Sequence, residues 1–311
     1  MTLAPDAVPE PIAGTRDDAP AARRATRPLY WSVRRELWEN RSIYLAPAAV
    51  AALVLVGLVI HGATMPSHVG TMVDVDPATP EPASVMYRFT AFVMLLAAFV
   101  IGAFYCLEAL SGERRDRSIL FWKSLPVSDP ATVLAKAALP LVVLPLATLA
   151  AIVAMHVAML LVSTVVVAVT GQDVSVLWRE VRLLRLWGML LYALPVVSLW
   201  LAPVYAFLLL ASGWARRTAA LWALLPPLAL GGLEKLTMDT SYLASTAVYR
   251  LLGWYGEAFV PHLESTQVPF HPQAVITPGR FLASPGLWVG LALAAVFLAA
   301  AVRLRRYRDP G

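Results

Sequence analysis

Histidine and carboxylate side chains in one polar segment could carry metal or hydrolytic chemistry. His262, Glu264 and His271 supply zinc-ligand types, and Ser265 could complete a hydrolytic triad with His262 and Glu264. Adjacent residues on irregular backbone rarely reach triad geometry, and loop histidines without a scaffold are more often solvated. We therefore predict no metal centre and no catalytic residue in this segment.

Motifs for nucleotide binding and hydrolysis are absent from the sequence. There is no GxxxxGK[ST] loop that could hold ATP phosphates, and there is no GxSxG, HExxH or CxxC. The single cysteine, Cys106, excludes an intramolecular disulfide and an all-cysteine metal site. We expect a chain that binds no cofactor itself and is not an enzyme.

The loop at residues 111–130 has the character of a binding element. It lies between two long apolar runs and joins a charged run to a short apolar cluster. The charged run is Glu113, Arg114, Arg115, Asp116 and Arg117, and the cluster of Ile119, Leu120, Phe121 and Trp122 is flanked by Ser118 and Leu125. Four consecutive apolar residues are poorly placed in a solvated turn. We expect them to dock into a groove of another protein.

Composition indicates which class of protein must position this loop. With 59% hydrophobic and 14% charged residues, the chain is more apolar than a soluble domain. We predict an all-α polytopic membrane protein with six transmembrane helices, at about 43–61, 88–110, 137–169, 187–211, 219–233 and 286–302. The third span is predicted to be one long helix, kinked near Pro140 and Pro145. The fifth is short, and we expect it to end in irregular backbone.

Shorter segments flank these spans. Residues 1–28 are predicted to be a disordered tail. In residues 29–42, the apolar residues Leu29, Tyr30, Val33 and Leu37 lie opposite a charged face, which predicts an interfacial elbow helix. Two further amphipathic surface helices are predicted at 172–186, with Leu177, Val181 and Leu184 on one face, and at 248–259.

The distribution of positive charge predicts the topology. Of the 25 Lys and Arg residues, 18 fall in the termini, the 111–136 region and the turn at 212–218. The positive-inside rule then places both termini and the 111–130 loop in the cytoplasm, with 62–87, 170–186 and 234–285 outside and 304–311 as a cytoplasmic tail. The same distribution argues against a nucleic-acid partner, although the net charge is +5.

Ionisable residues within the predicted spans are few, and they include Glu108, near the end of the second span, and His156, in the middle of the third. Glu108 is expected to pair with Arg114 or Arg115, and His156 to hydrogen-bond a neighbouring helix. These structural roles are favoured over functional ones, because both side chains have partners close by or can stay neutral.

The stretch from Leu110 to Ser128, LSGERRDRSILFWKSLPVS, resembles the first cytoplasmic loop of ABC-2 type transporter permeases. The resemblance extends to Lys136, at the start of the third span, and to the elbow sequence RRELWENR, with Arg34, Arg35, Glu36 and Trp38. The six-span layout follows the same family pattern over most of the chain. The extra amphipathic segment at 172–186 departs from it.

This resemblance implies a permease subunit of an exporter in the cytoplasmic membrane. Residues 118–125 would form a coupling helix that inserts into a separate ABC ATPase subunit, with residues 113–117 fixing the register. ATP and Mg²⁺ would bind to that ATPase, and a second permease subunit, identical or different, would complete the path in the lipid bilayer. Residues alone also leave open a membrane-integral enzyme or metal-dependent sensor, and a structural membrane scaffold. They do not identify the substrate.

Overall fold

The computed structural model describes residues 28–64, 82–115, 128–169, 171, 173–215, 218–260, 269–271 and 274–307. These ranges are almost entirely helical. The helices are α1 Pro28–Glu39, α2 Ser42–Thr64, α3 Pro82–Ala109, α4 Ser111–Arg115, α5 Asp129–Ala138, α6 Leu144–Val169, α7 Val174–Glu180, α8 Leu183–Trp214, α9 Ala219–Met238, α10 Tyr242–Leu252, α11 Trp254–Ala258, α12 Pro278–Ala283 and α13 Pro285–Tyr307. Phe259–Val260 and Val275–Ile276 form a short antiparallel strand pair.

Five helical segments are long and apolar enough to cross a membrane, among the residues described. They are Ser42–Ile60, Ser84–Arg115, Asp129–Val169, Leu183–Trp214 and Pro285–Tyr307. This establishes a helical, multi-pass membrane architecture. The fifth predicted span corresponds to α9, which is a 20-residue helix outside this set, so the count of six stays a prediction.

α8 is the centre of the bundle. It is the most buried of the five segments, and it packs against α13, α3 and α9. α2 packs against α6 and α3. α8 contributes Trp200, Leu190 and Leu209 to the core, and all three are almost fully buried.

The third predicted span is one continuous helical run. Leu139–Val143 adopts a π-helical turn between α5 and α6, and Pro140 lies inside it. A proline lacks the N–H that the regular ladder needs, and a π turn accommodates that loss without ending the helix. The run starts at Asp129, before the predicted start of the third span at 137. The cap is Ser128, whose Oγ accepts from the Ala131 N–H at 3.4 Å.

The predicted surface helix at 172–186 was wrong in its extent. α7 ends at Glu180, and α8 begins at Leu183 after a two-residue break. Leu177 and Val181 are buried as predicted, but Leu184 is exposed, because the break changes the helical phase. Asp173 caps α7 by accepting from the Ser175 N–H at 2.8 Å.

The predicted helix at 248–259 is also interrupted. α10 and α11 meet at Gly253, and Phe259 is already in the strand pair. A Cβ at Gly253 would lie 2.5 Å from the Tyr249 carbonyl oxygen, so this junction requires glycine. Arg250, within this predicted surface helix, packs over the Trp200 ring at 4.7 Å and donates to the Gly286 carbonyl at 2.8 Å.

α9 and α13 both extend beyond their predicted ends. α9 stays helical to Met238, where irregular backbone was predicted, and its Pro226 and Pro227 lie inside the helix. At its end, Glu234 accepts from the Leu243 N–H at 2.9 Å and so caps α10. α13 runs to Tyr307, past the predicted boundary at 303, which brings Arg305 into a helix.

Candidate functional site

A buried network of charged side chains lies at the end of the bundle where the 111–130 loop leaves α4 and enters α5. Lys136 is at its centre, with Nζ 3.0 Å from Glu36 Oε1 and 3.0 Å from Glu113 Oε1. Arg305 pairs with Glu113 and, through Nε, with Asp129 Oδ1 at 3.1 Å. Glu36 is fully buried, and Lys136 is only 3% exposed. The network therefore joins α1, α4, α5 and α13.

Charged and neutral neighbours form further ion pairs and hydrogen bonds with Glu36. Arg35 Nη2 lies 2.8 Å from Glu36 Oε1, and the Tyr105 hydroxyl donates to Glu36 Oε2 at 3.2 Å. The Asn40 side chain donates to the Glu36 carbonyl oxygen at 3.0 Å. A buried carboxylate is tolerated only when it is paired and hydrogen-bonded, and Glu36 meets both conditions.

The formal charges in this network balance. Glu36, Glu113 and Asp129 face Arg35, Lys136 and Arg305. Burying such a set brings little net stability, because desolvation offsets much of the Coulomb attraction. Removing one member is costly, however, because its partners then become uncompensated buried charges. The network thus fixes one relative arrangement of the four helices.

A second set of contacts ties α4 to the end of α8. Arg114 donates to the carbonyl oxygens of Gly213 at 2.7 Å and Ala215 at 2.9 Å. The Ser212 Oγ accepts from the backbone N–H groups of Leu110 and Ser111. A cation at a helix C-terminus satisfies carbonyls that have no partner within the helix and complements the helix dipole. The residues before the loop are therefore fixed to α8 as well.

Only part of the predicted coupling site lies within the described residues. Glu113, Arg114 and Arg115 are described, and the first two make the contacts within the chain given above. The rest of the predicted site lies outside the described residues, namely Asp116, Arg117, Ser118, Ile119, Leu120, Phe121, Trp122 and Leu125. Arg115 Nη2 pairs with Glu108 Oε1 at 3.1 Å, as predicted for Glu108.

Some side chains of the elbow helix lie on the protein surface, and others face its interior. Arg34 stacks over Trp31 and Trp38, each at 5.3 Å from the ring centroid, and Trp38 is exposed. Glu36 points the other way, into the network. The face of α1 that sequence analysis assigned to water is thus partly the face that packs on the protein. Helical periodicity separates polar from apolar faces, but it does not say which one meets a charged partner.

His156 forms a second buried polar cluster, as the sequence predicted. Its Nδ1 accepts from Trp187 Nε1 at 3.2 Å, and its Nε2 lies 3.3 Å from Thr90 Oγ1. Because an indole nitrogen only donates, Nδ1 has no proton, and the proton of a neutral ring is on Nε2. The Thr90 hydroxyl donates a hydrogen bond to the Tyr87 carbonyl oxygen at 3.0 Å. The cluster links α3, α6 and α8 without a formal charge.

Of the residues considered as metal ligands, only His271 lies among the described residues, and it is buried. His262 and Glu264 lie outside the described residues. Within the part of the chain that the structure describes, no group of three or more His, Cys, Asp or Glu side chains could hold a metal ion.

Comparison with known proteins returned no match. No protein-family model, curated protein or solved structure is similar to this chain. The residues and contacts described above therefore carry the functional argument.

Proposed function

We propose that this chain is the transmembrane permease subunit of an ABC-2 type exporter. The observation that carries the proposal is the charge network around Lys136, since it joins both ends of the 111–130 loop to α1 and α13. A loop that receives force from a partner transmits it only if its two ends are held to the membrane helices. Glu113 on one side of the loop and Asp129 with Lys136 on the other meet this requirement.

The network also supports a common location for the elbow helix, the loop and the C-terminal end of α13. Glu36, Glu113 and Arg305 come within one set of ion pairs, so these three elements meet at the same end of the bundle. With 18 of the 25 basic residues in the regions predicted to be inside, that end would be cytoplasmic. In this proposal, ATP hydrolysis by a separate subunit moves the loop, and α1, α3, α5 and α13 follow as rigid bodies.

Copurification tests the proposal directly. The full chain is purified from its native membrane, and an ABC ATPase is expected to accompany it. Replacing Phe121 and Trp122 with Ala is expected to lower ATPase recovery at least tenfold, because buried aromatic anchors at interfaces are worth about 2 kcal/mol or more.

The matched control is Leu236→Ala with Tyr242→Ala. Both side chains are large and exposed, and both lie in the region predicted to be outside. This control is expected to leave ATPase recovery unchanged. Recovery that is equal for the loop variant and wild type, or the absence of any ATPase, would count against the permease assignment.

A further inference from the structure

A groove of about 720 Å³ lies between the last turn of α8 and the last turns of α13. One wall is Trp214 of α8, and the other consists of Ala300, Arg303, Leu304 and Tyr307 of α13. The α13 residues are spaced by three or four positions, so they share one helical face. Because both helices are membrane-spanning segments, the groove opens at one end of the bundle.

The position of the groove along α13 is close to the level of the lipid headgroups. The rise from Pro285, the first residue of α13, to Arg303 is about 27 Å, and a bilayer hydrocarbon core is about 30 Å thick. Trp214 is 48% exposed and Tyr307 is 74% exposed, and both residue types are enriched at this level. Ala300 lies deeper, on the side of the acyl chains. The groove thus opens at the boundary between acyl chains and headgroups.

Two guanidinium groups at this end of α13 are available to a ligand. Arg303 and Arg306 are both exposed, and neither forms an ion pair with a residue that the structure describes. They are three positions apart on the helix, so both can face one anion. Arg306 lies over the Tyr307 ring, 5.7 Å from its centroid. The carboxylates nearest in the fold pair with Arg305, which is buried.

The side chains that line the groove are apolar, aromatic or basic. No carboxylate is among the described residues of its lining. An occupant therefore meets net positive charge at the mouth and apolar surface below it. A molecule with an anionic head and a hydrocarbon tail matches this arrangement.

We propose that this groove binds the headgroup of an anionic phospholipid. The phosphate would lie between Arg303 and Arg306, and an acyl chain would follow Ala300 and Leu304 beside Trp214. A guanidinium donates parallel hydrogen bonds to two phosphate oxygens, which suits this headgroup. A zwitterionic headgroup also has a phosphate, but its ammonium would lie near two cations.

The apolar wall distinguishes a lipid from other anions. An acidic protein segment or free phosphate would match the charge of the groove, but neither has an acyl chain to cover Ala300 and Leu304. The inference depends on the membrane architecture and not on the proposed transport function.

The test measures which lipid the chain retains. The full chain is purified in detergent, stripped of lipid, and offered equal amounts of phosphatidylglycerol, phosphatidylethanolamine and phosphatidylcholine. Native mass spectrometry then counts the lipids bound. Wild type is expected to retain phosphatidylglycerol about tenfold more than either zwitterionic lipid, because two basic side chains at a membrane surface together favour anionic lipid by at least this factor. An excess of inorganic phosphate is expected to leave the lipid bound.

A pair of double variants separates this site from general attraction between basic residues and anionic lipid. Arg303→Gln with Arg306→Gln is expected to bring the retention of the three lipids close to equal. The matched control is Arg41→Gln with Arg280→Gln, which removes the same charge from two other exposed positions. The control is expected to keep the preference.

A second pair of variants tests the groove itself while both arginines stay in place. Ala300→Phe fills the apolar part of the groove and is expected to lower the retention of phosphatidylglycerol. Ala299→Phe adds the same volume at the adjacent exposed position, which is not in the groove lining, and is expected to behave as wild type. Thermal unfolding confirms that each variant is folded.

Equal retention of the three lipids by wild type would overturn the proposal. So would an arginine double variant that keeps the preference, a control double variant that loses it, or an Ala300→Phe variant that retains phosphatidylglycerol as wild type does. Displacement of the lipid by inorganic phosphate would instead indicate a site for the free anion and would also overturn it. Since no ATPase takes part in the measurement, failure here would leave the copurification test unaffected.

Discussion

The cluster around Lys136 is charged and the cluster around His156 is neutral, although the central side chain of each is buried. The first contains three carboxylates and three cations, and it lies at the end of the bundle. The second lies within the spans and consists of an imidazole, a hydroxyl, an indole and a backbone carbonyl. Each joins helices that are distant in sequence, and each satisfies its polar groups inside the chain.

The difference follows from where each cluster lies. A formal charge near the centre of a bilayer costs at least about 2.5 kcal/mol, whereas charges near the end of a span can be compensated more easily. The neutral cluster can only hold α3, α6 and α8 at a fixed spacing. The charged cluster constrains its helices more strongly, because breaking any ion pair leaves the remaining charges buried without a partner. We therefore expect both ends of the 111–130 loop to move together with α1 and α13, the helices that hold them.

Replacing Lys136 with Met should have the largest effect on stability. Glu36 and Glu113 would lose their shared cation inside the protein, and removing one partner of a buried pair costs about 3–5 kcal/mol. The expected result is a matching loss in the free energy of unfolding, measured by denaturant titration in detergent.

Lys235→Met is the matched control for this change. The distance from Lys235 Nζ to Asp239 Oδ1 is 2.6 Å, shorter than the ion-pair distances of Lys136. Both side chains of the Lys235–Asp239 pair are exposed. Exposed pairs contribute about 0–1 kcal/mol, so the control should be close to wild type. Equal losses for the two variants would show that burial does not set the strength of the network.

The helical class, the long third span and the pairing of Glu108 with Arg114 or Arg115 could be predicted from the sequence, because hydropathy and charge spacing report these directly. For His156 a hydrogen bond to a neighbouring helix was predicted, but not the residues that make it. The charge network was not predicted. Glu36 was read as part of a water-facing helix surface, and Arg305 as part of a tail. The sequence feature that indicates this network is Lys136, a cation at the start of an apolar run with no acidic residue one helical turn away. Its partners are about 100 and 23 positions distant in sequence, and only the fold brings them together.

Replacing His156 with Phe should have an intermediate effect. Phe preserves most of the ring volume, but it removes the acceptor of the Trp187 N–H and the ring N–H that donates to Thr90, whose own hydroxyl still donates to the Tyr87 carbonyl. An unsatisfied buried donor costs about 1–3 kcal/mol, and the free energy of unfolding should fall by that amount. His156→Gln retains a neutral acceptor and donor, so it should recover part of the loss. If Gln is no better than Phe, shape and not hydrogen bonding holds this cluster together.

The smallest effect is expected from Glu39→Gln, at the edge of the charged network. Burial raises the pKa of Glu39 above its ordinary value of 4.5, so the folded chain binds this proton more tightly than the unfolded chain does. The stabilising contribution is therefore complete below pH 4.5 and is lost as pH rises through the folded-state pKa. Gln cannot ionise, so the variant should show a flatter stability profile just above that pH.

At neutral pH the same variant should gain less than about 1 kcal/mol, because Glu39 is partly exposed and its interactions are screened. Thermal unfolding between about pH 4 and pH 8 measures both effects. Wild-type and variant curves that stay parallel would mean that Glu39 ionises without consequence for folding. A variant that is less stable at neutral pH would instead make Glu39 a net stabilising partner of Arg35, from which its Oε1 is 3.5 Å away. The network would then extend outward to Glu39 and contain four carboxylates and three cations.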